Sequence, residues 1–75
     1  MPKRDPRWGR LDPEALRSVR QGKGVSAREL SERIGMSNSY ISQVERGSYL
    51  PPHERVRQIA KELDTTISSI STVNA

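Results

Sequence analysis

The chain is expected to be all-α: one compact domain of five short helices behind a flexible, basic N-terminal arm. Three observations carry that expectation. Capping residues and glycines punctuate the chain at helix-length intervals, apolar residues recur at helical spacing between them, and 75 residues suffice for one domain with a modest core.

The helices are justified in order. Asp12 is placed to cap a first helix, with Pro13 at the first helical position, where its missing N–H costs nothing. Leu16, Val19 and Arg20 share a face of it, and Gly22 and Gly24 bracket its end around Lys23. Ser26 followed by Glu29 is a capping box, so a second helix starts near Ala27; Leu30 and Ile34 lie on one side, and Gly35 stops it. Ser37 is the next N-cap candidate, opening a helix over 38–46 in which Tyr40, Ile41 and Val44 form an apolar face. Gly47 ends it, and the segment SYLPP is a loop because consecutive prolines forbid a helix through it. His53, Val56, Ile59, Ala60 and Leu63 give a core-facing stripe on a fourth helix, with His53 as a partly buried spacer. Asp64 stands where a glycine is expected at the helix end, a position Asp tolerates because it visits the left-handed region. Thr66 then caps a last short helix carrying Ile67 and Ile70, with Val73 beyond it. The domain accordingly covers 11–71, with an arm at 1–10 and a tail at 72–75.

The third helix has an unusual outer face. Asn38, Ser39, Ser42 and Gln43 occupy its polar side, where an ordinary solvated helix would carry Lys and Glu. Asn and Ser are poor helix formers, so the segment sacrifices propensity to have them. Amides are the side chains that bind adenine bidentately in the major groove, and Ser serves donor or acceptor edges there. A tight helix pair over 26–47 with such a second helix is how a small protein presents side chains to DNA.

The charge is unevenly placed. Lys3, Arg4, Arg7 and Arg10 against Asp5 give the first ten residues a net of +3 out of the total of +4, and the remaining 65 residues carry nine basic and eight acidic side chains. Pro2, Pro6 and Gly9 keep that segment extended. It is either a solubilising tail or a clamp along phosphates or in the minor groove; beside a helix pair of this kind the clamp is favoured. Trp8 is expected to anchor the arm against the domain or a second subunit.

The residues LRSVR at 16–20, GVSARELSERIGMS at 24–37, YISQVERG at 40–47, Pro51, and IAKEL at 59–63 together resemble the lambda repressor and Cro-like helix-turn-helix family, also called the xenobiotic response element family. The resemblance covers about 11–70 and implies the lambda-repressor-like fold. It implies that the helix 38–46 enters the major groove, with Asn38, Ser39 and Gln43 at base edges and Ser42 beside them. It implies phosphate contacts from Arg46 and from the loop at Ser48 and Tyr49, and an ion pair between Arg20 and Glu45. The chain departs from the family at two places. Ala27 replaces a phosphate-binding Gln, leaving Ser26 and Arg28 as substitutes, and Ser31 replaces an Ala, where its hydroxyl is small enough to pack and to bond back to its own helix.

The expected function is that of a transcriptional regulator, a repressor, binding double-stranded DNA at a palindromic operator as a homodimer, with Ile67, Ile70 and Val73 as the dimer ridge; Ile67 and Ile70 have the alternative role of closing the core, and the two roles are compatible. Two alternatives share the fold: an antitoxin, or a restriction-modification controller. A phage recombination-directionality or architectural factor is a third, and a protein-interaction module using the C-terminal ridge is a fourth, of another class. The chain is also short enough to be the DNA-binding part of a longer regulator. Catalysis is not expected, for there is no Gly-rich phosphate loop and no nucleophile with a base beside it. No cofactor or metal site is expected, since the chain has no Cys and a single His. A core this small leaves little room for a small-molecule effector. No apolar run reaches membrane-spanning length, so a cytoplasmic, nucleoid-associated location is expected.

Overall fold

The computed structural model describes residues 10 to 72. The described chain runs β1 (Arg10–Leu11), α1 (Pro13–Gly22), α2 (Ala27–Arg33), α3 (Tyr40–Glu45), α4 (His53–Glu62), a single 3-10 turn (Ile67–Ile70) and β2 (Ser71–Thr72). The fifth expected helix is therefore that one turn. Thr66 caps it as expected, accepting the Ser69 N–H at 3.3 Å. The two strands form an antiparallel ladder with Arg10 opposite Thr72 and Leu11 opposite Ser71, extended by the Asp12 N–H donating to the Ile70 carbonyl at 2.9 Å. This ladder corrects two expectations. Arg10 belongs to a strand and not to an extended arm, and Thr72 belongs to the fold and not to a tail. Pairing over two residues leaves almost no period-2 pattern to read.

All four α-helices end alike. In each, an N–H just past the end donates to the carbonyl five residues back: Val25 to Arg20, Met36 to Ser31, Ser48 to Gln43 and Thr65 to Ala60, at 2.9 to 3.1 Å. The preceding residue must then take a positive φ, and it is Gly24, Gly35 and Gly47 at +72°, +76° and +79°, or Asp64 at +54°. Lys23 donates to the Asp64 carbonyl at 3.3 Å, joining the ends of α1 and α4.

Each helix then contributes its apolar stripe to one core. Leu16, Leu30, Ile41, Val44, Val56, Ile59, Leu63 and Ile70 are fully or almost fully buried, with Leu11 from β1 closing one side. Burial of this aliphatic set is the main stabilising term, at roughly 1.5–3 kcal/mol per side chain before entropy is counted. Ile70 has no exposed surface, and Ile67 is half-buried against the core. Of the two roles expected for Ile70, core closure is the one its burial supports, and Ile70 offers no surface to a partner. Val73 lies outside the described residues, as do Trp8, Lys3, Arg4 and Arg7.

Candidate nucleic-acid interface

The turn between α2 and α3 positions the candidate site. The expectation of a helix over 38–46 opened by Ser37 is corrected: α3 begins at Tyr40, the N-cap position falls on Ser39, and Asn38 and Ser39 lie in the turn that leads into it. The Tyr40 N–H bonds to the Ser37 carbonyl at 3.0 Å, a tight turn that delays the helix by two residues. Asn38, Ser39, Gln43 and Arg46 are exposed together along the outer side, whereas Tyr40, Ile41 and Val44 are buried. The Gln43 side-chain amide donates to the Ser39 hydroxyl at 3.0 Å, so these two candidate base readers form one unit in the free protein.

Three contacts from outside hold α3 in place. The Ser31 hydroxyl of α2 donates to the Ala27 carbonyl at 2.8 Å and accepts the Ile41 N–H at 3.0 Å, within the core. Ser39 supplies no side-chain cap of its own, so Ser31 satisfies a donor that the start of α3 would otherwise leave open. Arg20 of α1 meets Glu45 with both arms of its fork, Nε to Oε2 at 2.7 Å and Nη2 to Oε1 at 2.9 Å, and its Nη1 donates to the Val25 carbonyl at 2.9 Å. The hydrogen bond to Glu45 raises the Arg20 pKa further above its already high ordinary value, so the guanidinium is charged at every pH the fold meets. The third contact is the loop after α3, which turns Tyr49 edge-on to the Tyr40 ring, with centroids 5.5 Å apart. Burial pushes the Tyr40 phenol up.

The candidate phosphate contacts are distributed around this helix. Ser26 is exposed, and its hydroxyl caps α2 by accepting the Glu29 N–H at 2.9 Å. The reciprocal half of the expected capping box is absent from the bonds the structure makes: Glu29 turns instead to Arg33, Nη2 to Oε2 at 2.6 Å. Arg28 is exposed and lies 3.4 Å from Glu32. Ser48 and Tyr49 are exposed in the loop, and Arg10 opens onto the same concavity as Gly47, Tyr49 and Leu50, so the ladder brings that cation to the loop. Ser42 is half-buried and turned toward α1, apart from Asn38, Ser39 and Gln43. One residue that the sequence reading passed over is Arg17. It is exposed on α1 and lines a concavity with Ser42 and Arg46; its spacing of three from Arg20, which puts both on one side of a helix, was the available signal.

No group of His, Cys, Asp and Glu among the described residues is arranged to hold a metal ion. No helix among them is long and apolar enough to cross a membrane.

A short helix pair with a polar, outward-facing second helix locked from beneath defines a helix-turn-helix protein, and the helix-turn-helix family model matches residues 16–70. The chain belongs to that family. An uncharacterised HTH-type transcriptional regulator of Mycobacterium tuberculosis, found in two strains, is 52% identical over 48 residues, covering 64% of this chain and 34% of its own length. HTH-type transcriptional regulator y4dL of Sinorhizobium fredii is 41% identical over 54 residues, 72% of this chain and 28% of its own. The match thus spans about a third of these relatives. Among solved structures, the clp gene regulator ClgR from Corynebacterium glutamicum superposes with a TM-score of 0.71 at 33% identity, over 89% of this chain and 69% of that one.

Proposed function

We propose that the chain is a sequence-specific, double-stranded DNA-binding transcriptional regulator that reads the major groove with α3 and represses from a palindromic operator as a homodimer. The observation that carries this reading is the outer side of the turn and α3: Asn38 and Ser39 in the turn and Gln43 on the helix stand exposed together, while Tyr40, Ile41 and Val44 on the opposite side are buried. Amides and hydroxyls in that array suit base edges, and Arg46, Ser48, Tyr49, Arg28 and Arg10 around it suit the backbone. Membership of a family whose named relatives are transcriptional regulators supports the same reading.

The test is selection of bound sequences from a random duplex pool at two salt concentrations. A two-half-site palindrome is expected, and Asn38→Ala and Gln43→Ala are expected to cost about 1–3 kcal/mol of discrimination at single positions of it. Enrichment of no sequence, or equal weakening on selected and random duplexes in both variants, would remove the assignment of base reading to this face.

A further inference from the structure

We infer that the concavity between β1, the start of α1 and the loop after α3 is the seat of Trp8 of the same chain, and that Trp8 placed there is a positioning residue for the basic segment 1–9. The seat is argued from the cleft and the reach of the chain; its consequence for recognition rests on the DNA-binding reading above.

The concavity measures about 340 Å³. Tyr49 and Leu50 form one wall of it, and they are the exposed large hydrophobic side chains among the described residues, at 45% and 49%. Leu11 and Pro13 line the other side. Single exposed apolar residues are ordinary, but two adjacent ones opening into a cleft with an apolar far side mark a surface that another group covers. The chain supplies one group of matching chemistry. Phe is absent and the two Tyr rings already lie against each other, so Trp8 is the aromatic side chain left to fill the cleft. An enclosed indole N–H needs an acceptor. Asp12, at the edge of the cleft, caps α1 with Oδ1 alone, accepting the Glu14 and Ala15 N–H groups at 3.1 and 3.4 Å, and its Oδ2 is unengaged among the described residues. The reach is short. Arg10 lines the concavity itself and is held opposite Thr72 by the ladder. Two residues span at most about 7 Å, so Trp8 reaches the cleft without loosening β1, and strand alternation puts positions 8 and 10 on one side. So short a tether gives the chain's own Trp8 an effective concentration that a second copy would have to outcompete. The consequence concerns the loop, which is neutral at Ser48 and Tyr49, whereas Lys3, Arg4 and Arg7 lie within five residues of Trp8. Seating Trp8 against Tyr49 and Leu50 brings those charges to the loop before DNA arrives and lowers the ordering cost of binding.

The experiment uses the full chain, in which indole fluorescence reports on Trp8 alone. Without DNA, the emission should lie to the blue of the same chain unfolded in denaturant, and acrylamide should quench it several-fold less. Leu50→Ser and Tyr49→Ala, each checked for retained helix by circular dichroism, should move both readings toward those of the unfolded chain. Arg57→Ala on α4 should move neither, and dilution of the wild type should change nothing. Unfolded-like emission in the wild type, readings unmoved by both cleft variants, or a signal lost on dilution, as from a Trp8 seated in a second copy, would each overturn the assignment. On duplex DNA, Trp8→Ala and Leu50→Ser should each weaken binding by about tenfold, and the double variant should lose no more than either alone. Undiminished binding in Trp8→Ala, or losses that simply add, would overturn the positioning role. Failure of the wild-type chain to bind any duplex would sink the DNA-binding reading and leave the seat to be decided by fluorescence, so the two failures are distinguishable.

Discussion

The two helices of the motif are almost equal in length, seven residues in α2 and six in α3, yet they are stabilised in opposite ways. α2 is held by its own sequence: Ser26 caps it, and Glu29–Arg33 and Arg28–Glu32 pair along its outer side at a spacing of four. α3 has no side-chain cap of its own and no ion pair on its outer side among the described residues. Its supports are the Ser31 hydroxyl, Arg20 and its buried face, each from beneath or from a neighbour. Isolated helices this short are unstable in water, so both depend on tertiary contacts, but α3 depends on them alone. The difference is functional. A helix secured from behind needs no ion pairs on its outer side, which leaves Gln43, together with Asn38 and Ser39 in the turn before it, free of that duty.

Removing the strongest of those supports gives the largest expected effect. In Glu45→Ala the Arg20 guanidinium keeps its charge and loses its partner at a site where the two side chains are only 11% and 8% exposed. A loss of about 3 kcal/mol is expected, or roughly 10–20 °C in melting temperature for a domain of this size. The loss should fall on DNA binding too, because α1 and α3 would no longer be tied. A melting point within a degree or two of the wild type would mean that packing alone orients α3.

The second prediction sharpens the comparison by matching one serine against another. Ser31→Ala leaves the Ile41 N–H without an acceptor inside the core and should cost about 1–2 kcal/mol. Ser26→Ala removes an exposed cap, where water replaces the bond, and should cost about 1 kcal/mol or less. Amide hydrogen exchange separates the two mechanisms: Ile41 should exchange faster in Ser31→Ala and be protected as before in Ser26→Ala. Equal protection of Ile41 in all three proteins would show that its bond to Ser31 contributes nothing.

The same contrast explains how much of the molecule was legible in the sequence. α2 announces itself through local signals, and Asp12, Pro13, Ser26 and Thr66 all stand at the helix starts they predicted. The helix ends at Gly35, Gly47 and Asp64 were equally readable, since left-handed backbone restricts the choice of residue. The sequence puts the start of α3 about two residues early because Ser37 has the composition of a cap, while the hydroxyl that accepts from the start of the helix belongs to Ser31, ten residues before the Ile41 N–H that donates to it. A cap supplied across a turn leaves no mark in the local pattern. The β1–β2 ladder was missed for a similar reason, as its partners are separated by the whole domain and its strands are two residues long. At the site, the exposure of Asn38, Ser39 and Gln43 followed from periodicity, but the turn of Ser42 toward α1 and the presence of Arg17 beside it did not. Which groups of two helices share a cleft depends on the crossing of those helices, and spacing within either one does not encode it.

The smallest expected effect belongs to the outer surface of α2. The Glu29–Arg33 pair is close, at 2.6 Å, but its side chains are 47% and 42% exposed, and Arg28–Glu32 is both looser, at 3.4 Å, and more open. Glu29 also precedes its Arg along the helix, the more favourable order, whereas Arg28 precedes its Glu. Arg33→Ala should therefore cost about 0.3–0.5 kcal/mol and Arg28→Ala less, with both differences vanishing in concentrated salt. Those small values matter for the proposed interface, because a cation bound so weakly to Glu32 can exchange that partner for a phosphate at little cost, while Arg20, bound to Glu45, cannot. Thermal melts of both variants at low and high ionic strength provide the check. A salt-resistant loss near 2 kcal/mol in Arg28→Ala would mean that α2 leans on its surface charges as α3 leans on Arg20, and would take Arg28 out of the set of side chains free to meet DNA.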